Sequence, residues 1–290
     1  DQECATEKRR KRKRGRLATP ATRVVINERI CEGCGDCGRK SNCLSVHPVD
    51  TEHGRKTRIH QASCNVDYSC LEGDCPAFLT VVPGTRAAHT GPEGLDAADL
   101  PAPEPVPGRG DGFGVRITGV GGTGIVTVSQ VLATAGLVAG WSVRSLDQTG
   151  LAQKGGAVVS DIRFARDGRA ISNKLGAGEC DLYLGCDLLV AADAGNLRVV
   201  SGERTVAVVN TADVPTGHMV ADPSLVFPDV AATAARVTDR ARSGARVLDA
   251  RALVLGLFGD DQYTNMFLVG VGFQTGALDL PAAAIEEAIR

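Results

Sequence analysis

Seven cysteines in this 290-residue chain have spacings typical of iron–sulfur proteins. Three of them, Cys31, Cys34 and Cys37, follow the pattern Cys-x2-Cys-x2-Cys with glycines between them. Such glycines permit positive φ angles and bring backbone N–H groups towards the sulfides of a cluster. In bacterial ferredoxins a distant Cys-Pro pair completes the trio, and Cys75-Pro76 fits that pattern. The spacing predicts one [4Fe–4S] cluster bound by Cys31, Cys34, Cys37 and Cys75.

Three cysteines remain for a second centre: Cys43, Cys64 and Cys70. Three thiolates can hold a [3Fe–4S] cluster, or a [4Fe–4S] cluster that has a fourth ligand of another kind. Cys43 lacks a following proline, and the five residues between Cys37 and Cys43 exceed the usual three. The number of clusters and the grouping of the seven cysteines therefore stay open.

Zinc binding and disulfide formation are the alternative uses of such a block. Zinc sites usually combine two cysteine pairs, and disulfide frameworks are typical of exported proteins, for which the sequence gives no indication. Cys180 and Cys186 lie in apolar, strand-like segments and are interpreted as ordinary buried thiols. Cys4, in a charged tail, has no assigned role.

A glycine-rich loop follows a strand and opens a helix, and its candidate cofactor-binding residues are Gly119, Gly121, Gly122 and Gly124. Free N–H groups and the helix dipole attract phosphate at such a terminus. Asp147, near the end of the next strand, suits a ribose-binding carboxylate, and Lys154 suits a phosphate, an interdomain contact or a solvated turn. Because tight strand–helix packing requires the same glycines, nicotinamide or flavin binding remains an alternative.

These candidates are expected in two domains joined by a linker. Residues 1–22 form a basic arm whose run Lys8–Arg16 either docks on an acidic surface, binds nucleic acid or is simply solvated. Residues 23–90 form a small ferredoxin-like domain, and alternating prolines make residues 91–112 a semi-rigid linker. Residues 113–290 alternate apolar strands with helices, which predicts an α/β fold with a doubly wound, mostly parallel sheet. No internal repeat is evident.

Composition and charge exclude several classes of protein. A hydrophobic content of 43% suffices for a core and excludes wholesale disorder. No apolar stretch approaches the roughly 20 residues of a membrane span, and no signal peptide is evident, so a cytoplasmic protein is expected. Residues 1–90 hold 16 Lys and Arg against 11 Asp and Glu, whereas residues 91–290 hold 16 against 23. The chain begins with Asp1, which suggests an internal piece of a longer protein.

Several longer phrases resemble a known family. Residues 5–15, 25–38, 41–43 and 63–76 are similar to the iron–sulfur segment of the large fused indolepyruvate ferredoxin oxidoreductases. Residues 119–124 and 146–156 resemble the pyruvate/ketoisovalerate oxidoreductase gamma-type domain of that family. The gamma-type resemblance favours an interdomain or coenzyme A-facing surface over NAD binding for the glycine loops.

The resemblance implies oxidative decarboxylation of a 2-oxoacid with coenzyme A, which gives acyl-CoA, carbon dioxide and reduced ferredoxin. Thiamine diphosphate would carry the carbanion chemistry, and clusters would remove electrons singly. Because thiamine-binding and pyrimidine-binding domains are missing, we expect this chain to be the electron-transfer and gamma-type portion. Its implied partners are a thiamine-binding domain or subunit and ferredoxin, with no membrane or nucleic acid. The alternatives are an NAD(P)- or flavin-dependent iron–sulfur oxidoreductase and a zinc-stapled binding module; no catalytic residue is assigned.

Overall fold

The protein is described by a computed structural model that covers residues 5–84, 100–106, 112–150, 155–166 and 172–290. The described residues divide into two compact units. The first unit contains the residues before Thr90 together with Pro215–Phe227, and the second contains the rest. Residues 215–227 therefore belong to the same unit as the cysteine block, although they lie far along the chain within the predicted gamma-type region.

The elements are numbered in chain order. The described helices are α1 (Ala5–Lys13), α2 (Asp36–Ser41), α3 (Ile125–Val138), α4 (Leu188–Ala191), α5 (Gly217–Ala221), α6 (Val230–Thr238), α7 (Ala250–Phe258), α8 (Thr264–Gln274) and α9 (Ala282–Ile289). The strands are β1 (Arg23–Ile26), β2 (Val46–Thr51), β3 (Gly54–Ile59), β4 (Phe78–Val81), β5 (Gly112–Val120), β6 (Ser142–Thr149), β7 (Ala157–Ala165), β8 (Leu182–Gly185), β9 (Val206–Asn210) and β10 (Arg246–Leu248). Of the described helices, none has the length and apolar character needed to cross a bilayer.

The first unit consists of two halves with the same order of elements. In each half a strand leads into a cysteine loop, a short helix, a further cysteine and a second strand; the helices are α2 and the 3-10 helix Ser69–Gly73. Strand β1 pairs with β4 and β2 pairs with β3, both antiparallel. The expectation of no internal repeat is therefore wrong. The two halves have the same order of secondary-structure elements, but few of their residue types are the same.

The core of the first unit is small. Its buried side chains come from the strands, from both cysteine loops and from α5: Val24, Ile26, Cys31, Val46, Ile59, Cys70, Ala77 and Val220. A domain with so few large apolar side chains gains little from burial and commonly depends on a bound metal.

The second unit is built on a six-stranded sheet in the order β10-β9-β8-β5-β7-β6. The neighbours β5, β8, β9 and β10 run parallel, whereas β7 runs antiparallel to both β5 and β6. The predicted α/β fold with a mostly parallel sheet is confirmed. The antiparallel pair arises because only seven residues separate β6 from β7, whereas a parallel crossover needs a dozen or more.

Helices pack on the central strands of this sheet. Helix α3 buries Val128, Leu132 and Ala135 in the main core, to which α8 and α9 contribute Leu268 and Ile285. Helix α6 begins at Val230, where the Asp229 side chain accepts a hydrogen bond from the amide of Ala232.

Part of the predicted linker is described, and residues 100–106 form neither helix nor strand. They run along the end of α8. The amide of Val106 donates to the Gly276 carbonyl at 3.2 Å, and the Gln274 side chain donates to the Pro101 carbonyl at 2.7 Å. These bonds attach this stretch to the second unit.

Candidate metal centre

The first cysteine loop follows β1 and is shaped by two glycines. Gly33 and Gly35 have φ angles of 70° and 75°, as the spacing predicts. A Cβ on Gly33 would collide with the Arg55 carbonyl oxygen, so the position has no room for a side chain. The Gly33 amide donates to the Cys31 sulfur at 3.4 Å, a contact that favours the thiolate.

Cys31, Cys34 and Cys37 are brought together in this loop. Cys31 is buried, Cys37 is half-buried in the first turn of α2, and Cys34 is exposed. Burial raises the pKa of the Cys37 thiol, and negative charge on the neighbouring Cys31 and Cys34 raises it further. The loop thus presents three neighbouring sulfurs, of which one faces solvent.

Strand pairing carries Cys75 towards the first loop. The amide of Asn27, between β1 and the loop, donates to the Ala77 carbonyl at 2.8 Å, and the Asn27 carbonyl accepts from the Cys31 amide at 2.9 Å. Cys75 lies two residues before Ala77 and packs against the same apolar core as Cys31. This arrangement supports the predicted assignment of Cys75 to the first trio.

Cys43, Cys64 and Cys70 line one small cavity of the first unit, which Asp67 and Arg23 also line. The amide of His60 donates to the Ser45 carbonyl at 2.7 Å, and Ser45 lies two residues after Cys43, so this bond brings Cys43 towards the second loop. The bond between Asn27 and Ala77 brings Cys75 towards the first loop in the same way. Burial raises the pKa of the Cys70 thiol to about 12, and negative charge on Cys43, Cys64 and Asp67 adds to the shift. The three cysteines that remain outside the first group therefore border one cavity.

Within the described ranges, no three His, Cys, Asp or Glu side chains are placed to hold one metal ion. All the described cysteines are free thiols, and the interpretation of Cys180 and Cys186 as buried is confirmed.

The segment Pro215–Phe227 packs beside the first cysteine loop. A Cβ on Gly38 would lie 2.6 Å from the Val220 carbonyl oxygen, so α2 and α5 approach closely at a glycine. The Arg55 guanidinium donates to three carbonyls of the segment, those of Met219, Pro223 (2.8 Å) and Leu225 (2.7 Å). Sequence reasoning missed this segment, because backbone carbonyls that accept from a distant arginine leave no motif.

Replacing Arg55 with alanine is expected to release this segment. A buried hydrogen bond to a charged donor contributes about 2 kcal/mol. Two of the three Arg55 bonds are exposed to solvent and contribute less, so we expect the free energy of unfolding of the first unit to fall by about 2 kcal/mol in total. Hydrogen exchange at residues 217–225 should become faster in the Arg55→Ala variant. The matched control is Arg58→Ala on the same strand, which removes only an exposed ion pair with Glu28 and should cost at most about 1 kcal/mol. Equal protection in both variants would contradict the prediction.

The basic arm is partly helical, and α1 covers most of the Lys8–Arg16 run. The Arg12 guanidinium donates to the carbonyl of Asn65 in the second cysteine loop. A cation therefore lies beside the cavity of Cys43, Cys64 and Cys70. Whether the remaining positive charges of the arm dock on an acidic surface stays a prediction.

Two amides of the glycine loop in the second unit are hydrogen-bonded to backbone carbonyls of the protein. The Gly121 amide donates to the Gly156 carbonyl at 2.7 Å, and the Thr123 amide donates to the Val120 carbonyl at 3.3 Å. Gly122 and Gly124 have φ angles of 86° and 97°, and a Cβ on Gly119 would collide with Ile125. These glycines make a tight strand–helix turn, and cofactor binding by Gly119, Gly121, Gly122 and Gly124 stays a prediction.

Asp147 does not stand where a dinucleotide fold needs its carboxylate. Strand β7 lies between β5, which leads into the glycine loop, and β6, which carries Asp147. Asp147 instead accepts a hydrogen bond from its cross-strand partner Ser160. Lys154 lies outside the described residues.

Comparison with known proteins identifies the family. The profile described as pyruvate ferredoxin/flavodoxin oxidoreductase matches residues 114–290, well over half of the chain. The chain belongs to this family. It is a component of a 2-oxoacid:ferredoxin oxidoreductase, with its gamma-type part in the matched range, and the NAD(P)- or flavin-dependent alternative is not supported.

Individual relatives match over the same part of the chain. The indolepyruvate oxidoreductase subunit IorB of Pyrococcus horikoshii is 28% identical over 179 residues, which are 61% of this chain and 85% of the relative. The subunit of the same name from Methanothermobacter thermautotrophicus is 27% identical over 178 residues, 61% of this chain and 86% of the relative. The crystal structure of pyruvate oxidoreductase subunit PORC from Thermotoga maritima aligns with a TM-score of 0.41 and 21% identity, over 62% and 84% of the two chains.

Proposed function

We propose that this chain is the electron-transfer and gamma-type portion of an indolepyruvate-type 2-oxoacid:ferredoxin oxidoreductase, and that its first unit holds two iron–sulfur clusters. Cys31, Cys34, Cys37 and Cys75 would hold a [4Fe–4S] cluster, and Cys43, Cys64 and Cys70 would hold a second one. The observation that carries the proposal is the repeat of the first unit. Pairing of β1 with β4 brings Cys75 towards the first cysteine loop, and pairing of β2 with β3 brings Cys43 towards the second loop, which contains Cys64 and Cys70. Two-cluster ferredoxins exchange their fourth cysteine in this way.

The residues of the first unit suit this cofactor. When bound, the clusters would accept and pass electrons one at a time. Amides of Gly33 and Val66 donate to the sulfurs of Cys31 and Cys64 at 3.4 and 3.3 Å, which stabilises thiolates within the small apolar core. Cys34 is the exposed member of its trio, so the first site has one ligand at the surface, where a partner protein can approach.

The rest of the reaction belongs to partners. Thiamine diphosphate and coenzyme A would bind in the complete enzyme, on a thiamine-binding domain or subunit. Ferredoxin would take the electrons in the cytoplasm, and the choice of 2-oxoacid would be made near the thiamine. The IorB relatives, which are named as indolepyruvate oxidoreductase subunits, support indolepyruvate as the first substrate to test.

The proposal is tested by metal analysis of the full chain prepared without oxygen. We expect about eight irons with equal labile sulfide, and a paramagnetic signal after dithionite. Cys180→Ser, which changes a buried thiol outside the block, should leave both contents unchanged, whereas Cys37→Ser should lower them. Stoichiometric zinc without sulfide would overturn the proposal.

Catalysis is tested separately. Mixed with a thiamine-binding subunit, indolepyruvate and coenzyme A, the cluster-loaded chain should support reduction of a viologen dye, and the Cys37→Ser variant should support at least tenfold less. Intact clusters without any 2-oxoacid-dependent reduction would contradict the catalytic part of the proposal.

A further inference from the structure

The second cysteine loop contains a carboxylate where the first contains a thiol. Cys31, Cys34 and Cys37 are each followed 33 residues later by an equivalent residue, and these are Cys64, Asp67 and Cys70. The second loop therefore reads Cys-x2-Asp-x2-Cys. The outer positions keep their sulfur, and only the middle position differs.

The backbone confirms that the two loops are equivalent. Val66 and Tyr68 have φ angles of 55° and 63°, at the positions where the first loop has Gly33 and Gly35. Residues with side chains rarely adopt this region. The amide of Val66 also donates to the Cys64 sulfur as Gly33 does to Cys31. The second loop thus has the same backbone conformation as the first, although Val66 and Tyr68 disfavour positive φ angles.

Asp67 occupies the cavity wall together with the three cysteines. The cavity is lined by Asp67, Cys43, Cys64 and Cys70, among others. Asp67 is exposed, as Cys34 is at the equivalent place in the first loop. Its Oδ1 accepts hydrogen bonds from the amide and the hydroxyl of Ser69 at 3.3 and 3.0 Å, which orient the carboxylate.

We propose that the Asp67 carboxylate is the fourth ligand of the second cluster, beside the thiolates of Cys43, Cys64 and Cys70. This inference rests on the proposed function, because it requires a cluster in the second site. A carboxylate oxygen is a harder and weaker ligand for cluster iron than a thiolate. The iron at Asp67 is therefore the labile one, and the second site differs chemically from the first, which has four thiolates.

The labile iron gives the experiment. The oxygen-protected full chain is treated with ferricyanide and analysed for iron and by electron paramagnetic resonance. In the wild type, a [4Fe–4S]2+ cluster at the second site should release one Fe2+ and give one electron to ferricyanide, leaving [3Fe–4S]+. We expect the loss of about one iron in eight, and the appearance of the [3Fe–4S]+ signal.

Variants at the carboxylate decide the assignment. Asp67→Cys should keep all its iron under the same treatment and show at least tenfold less of the [3Fe–4S]+ signal. Asp67→Asn should hold about one iron fewer than the wild type before any oxidant is added, and ferricyanide should then take one electron from its [3Fe–4S]0 cluster to give the [3Fe–4S]+ signal without further loss of iron. Glu72→Gln, which changes an exposed carboxyl on the adjacent 3-10 helix, should behave as the wild type.

The outcomes separate this inference from the function on which it rests. A wild-type chain without iron and sulfide would overturn both. A wild-type chain with two clusters, whose Asp67→Cys variant loses iron as readily as the wild type, would overturn the Asp67 assignment alone. Asp67→Cys introduces the thiol that the first loop has at this position. The comparison of its iron loss with that of the wild type therefore decides the assignment even if the Asp67→Asn variant does not fold.

Discussion

Replacing Cys31 with alanine is expected to make the first unit sensitive to protease while the second unit remains folded. Cys31 is at once a proposed cluster ligand and a member of a core that contains few large apolar side chains. Metal binding contributes on the order of 10 kcal/mol to the folding of small metal-dependent domains, far more than this core can replace. Limited proteolysis with mass spectrometry should show cleavage within residues 23–84 and 215–227, with residues 112–290 otherwise intact.

A buried thiol of the second unit is the matched control for this variant. Cys186→Ala removes a sulfur of similar burial from a much larger core and should cost about 1 kcal/mol. Its first unit should resist protease as the wild type does. If Cys31→Ala also left the first unit resistant, that unit would not depend on its cysteines for folding.

Replacing Asp161 with alanine should destabilise the second unit by about 3–5 kcal/mol, because the partner charge stays buried without compensation. Arg116 and Asp161 face each other across the β5–β7 pair, and both side chains are almost fully buried. Two short bonds of 2.6 and 2.7 Å join them, and Asp161 also accepts from the Leu175 amide at 3.1 Å. Removal of the carboxylate therefore leaves Nε and Nη2 of Arg116 and the Leu175 amide without their acceptor, and Arg116 keeps only the Asn196 carbonyl.

Urea unfolding followed by the fluorescence of Trp141 measures this loss. Trp141 is the single tryptophan of the chain and packs edge-on against Phe113 in the second unit. The control is Arg163→Ala on the same strand, which breaks a partly exposed ion pair with Glu179 and should cost about 1 kcal/mol or less. Equal shifts of the two unfolding midpoints would contradict a special role for the buried pair.

The strands of the second unit were predictable because short apolar runs between turn residues mark buried strands well. The order of the strands was not. The placement of β7 between β5 and β6 depends on a short connection that makes a hairpin, and this placement moves Asp147 away from the glycine loop. A fingerprint of glycines plus a distant carboxylate cannot report which strands are neighbours.

The cysteine block was predictable from spacing, but its internal symmetry was hidden. Val66, Asp67 and Tyr68 replace the glycine, cysteine and glycine of the first loop, so residue types obscure a repeat that φ angles and hydrogen bonds reveal. The packing of residues 215–227 in the first unit could not be predicted for another reason. It depends on backbone carbonyls that accept from Arg55 and on a close contact at Gly38, and neither has a sequence signature.

The attachment of Pro215–Phe227 to the cysteine unit has a consequence for how this protein can be divided. A gene split at the proline-rich stretch would give a cysteine-rich half without the carbonyls that Arg55 binds. The other half would contain α5, which lies between β9 and α6 in the sequence, without the rest of the unit to which α5 belongs. The two units are therefore interlaced along the chain, and a first unit transferred without residues 215–227 would lose the acceptors of Arg55.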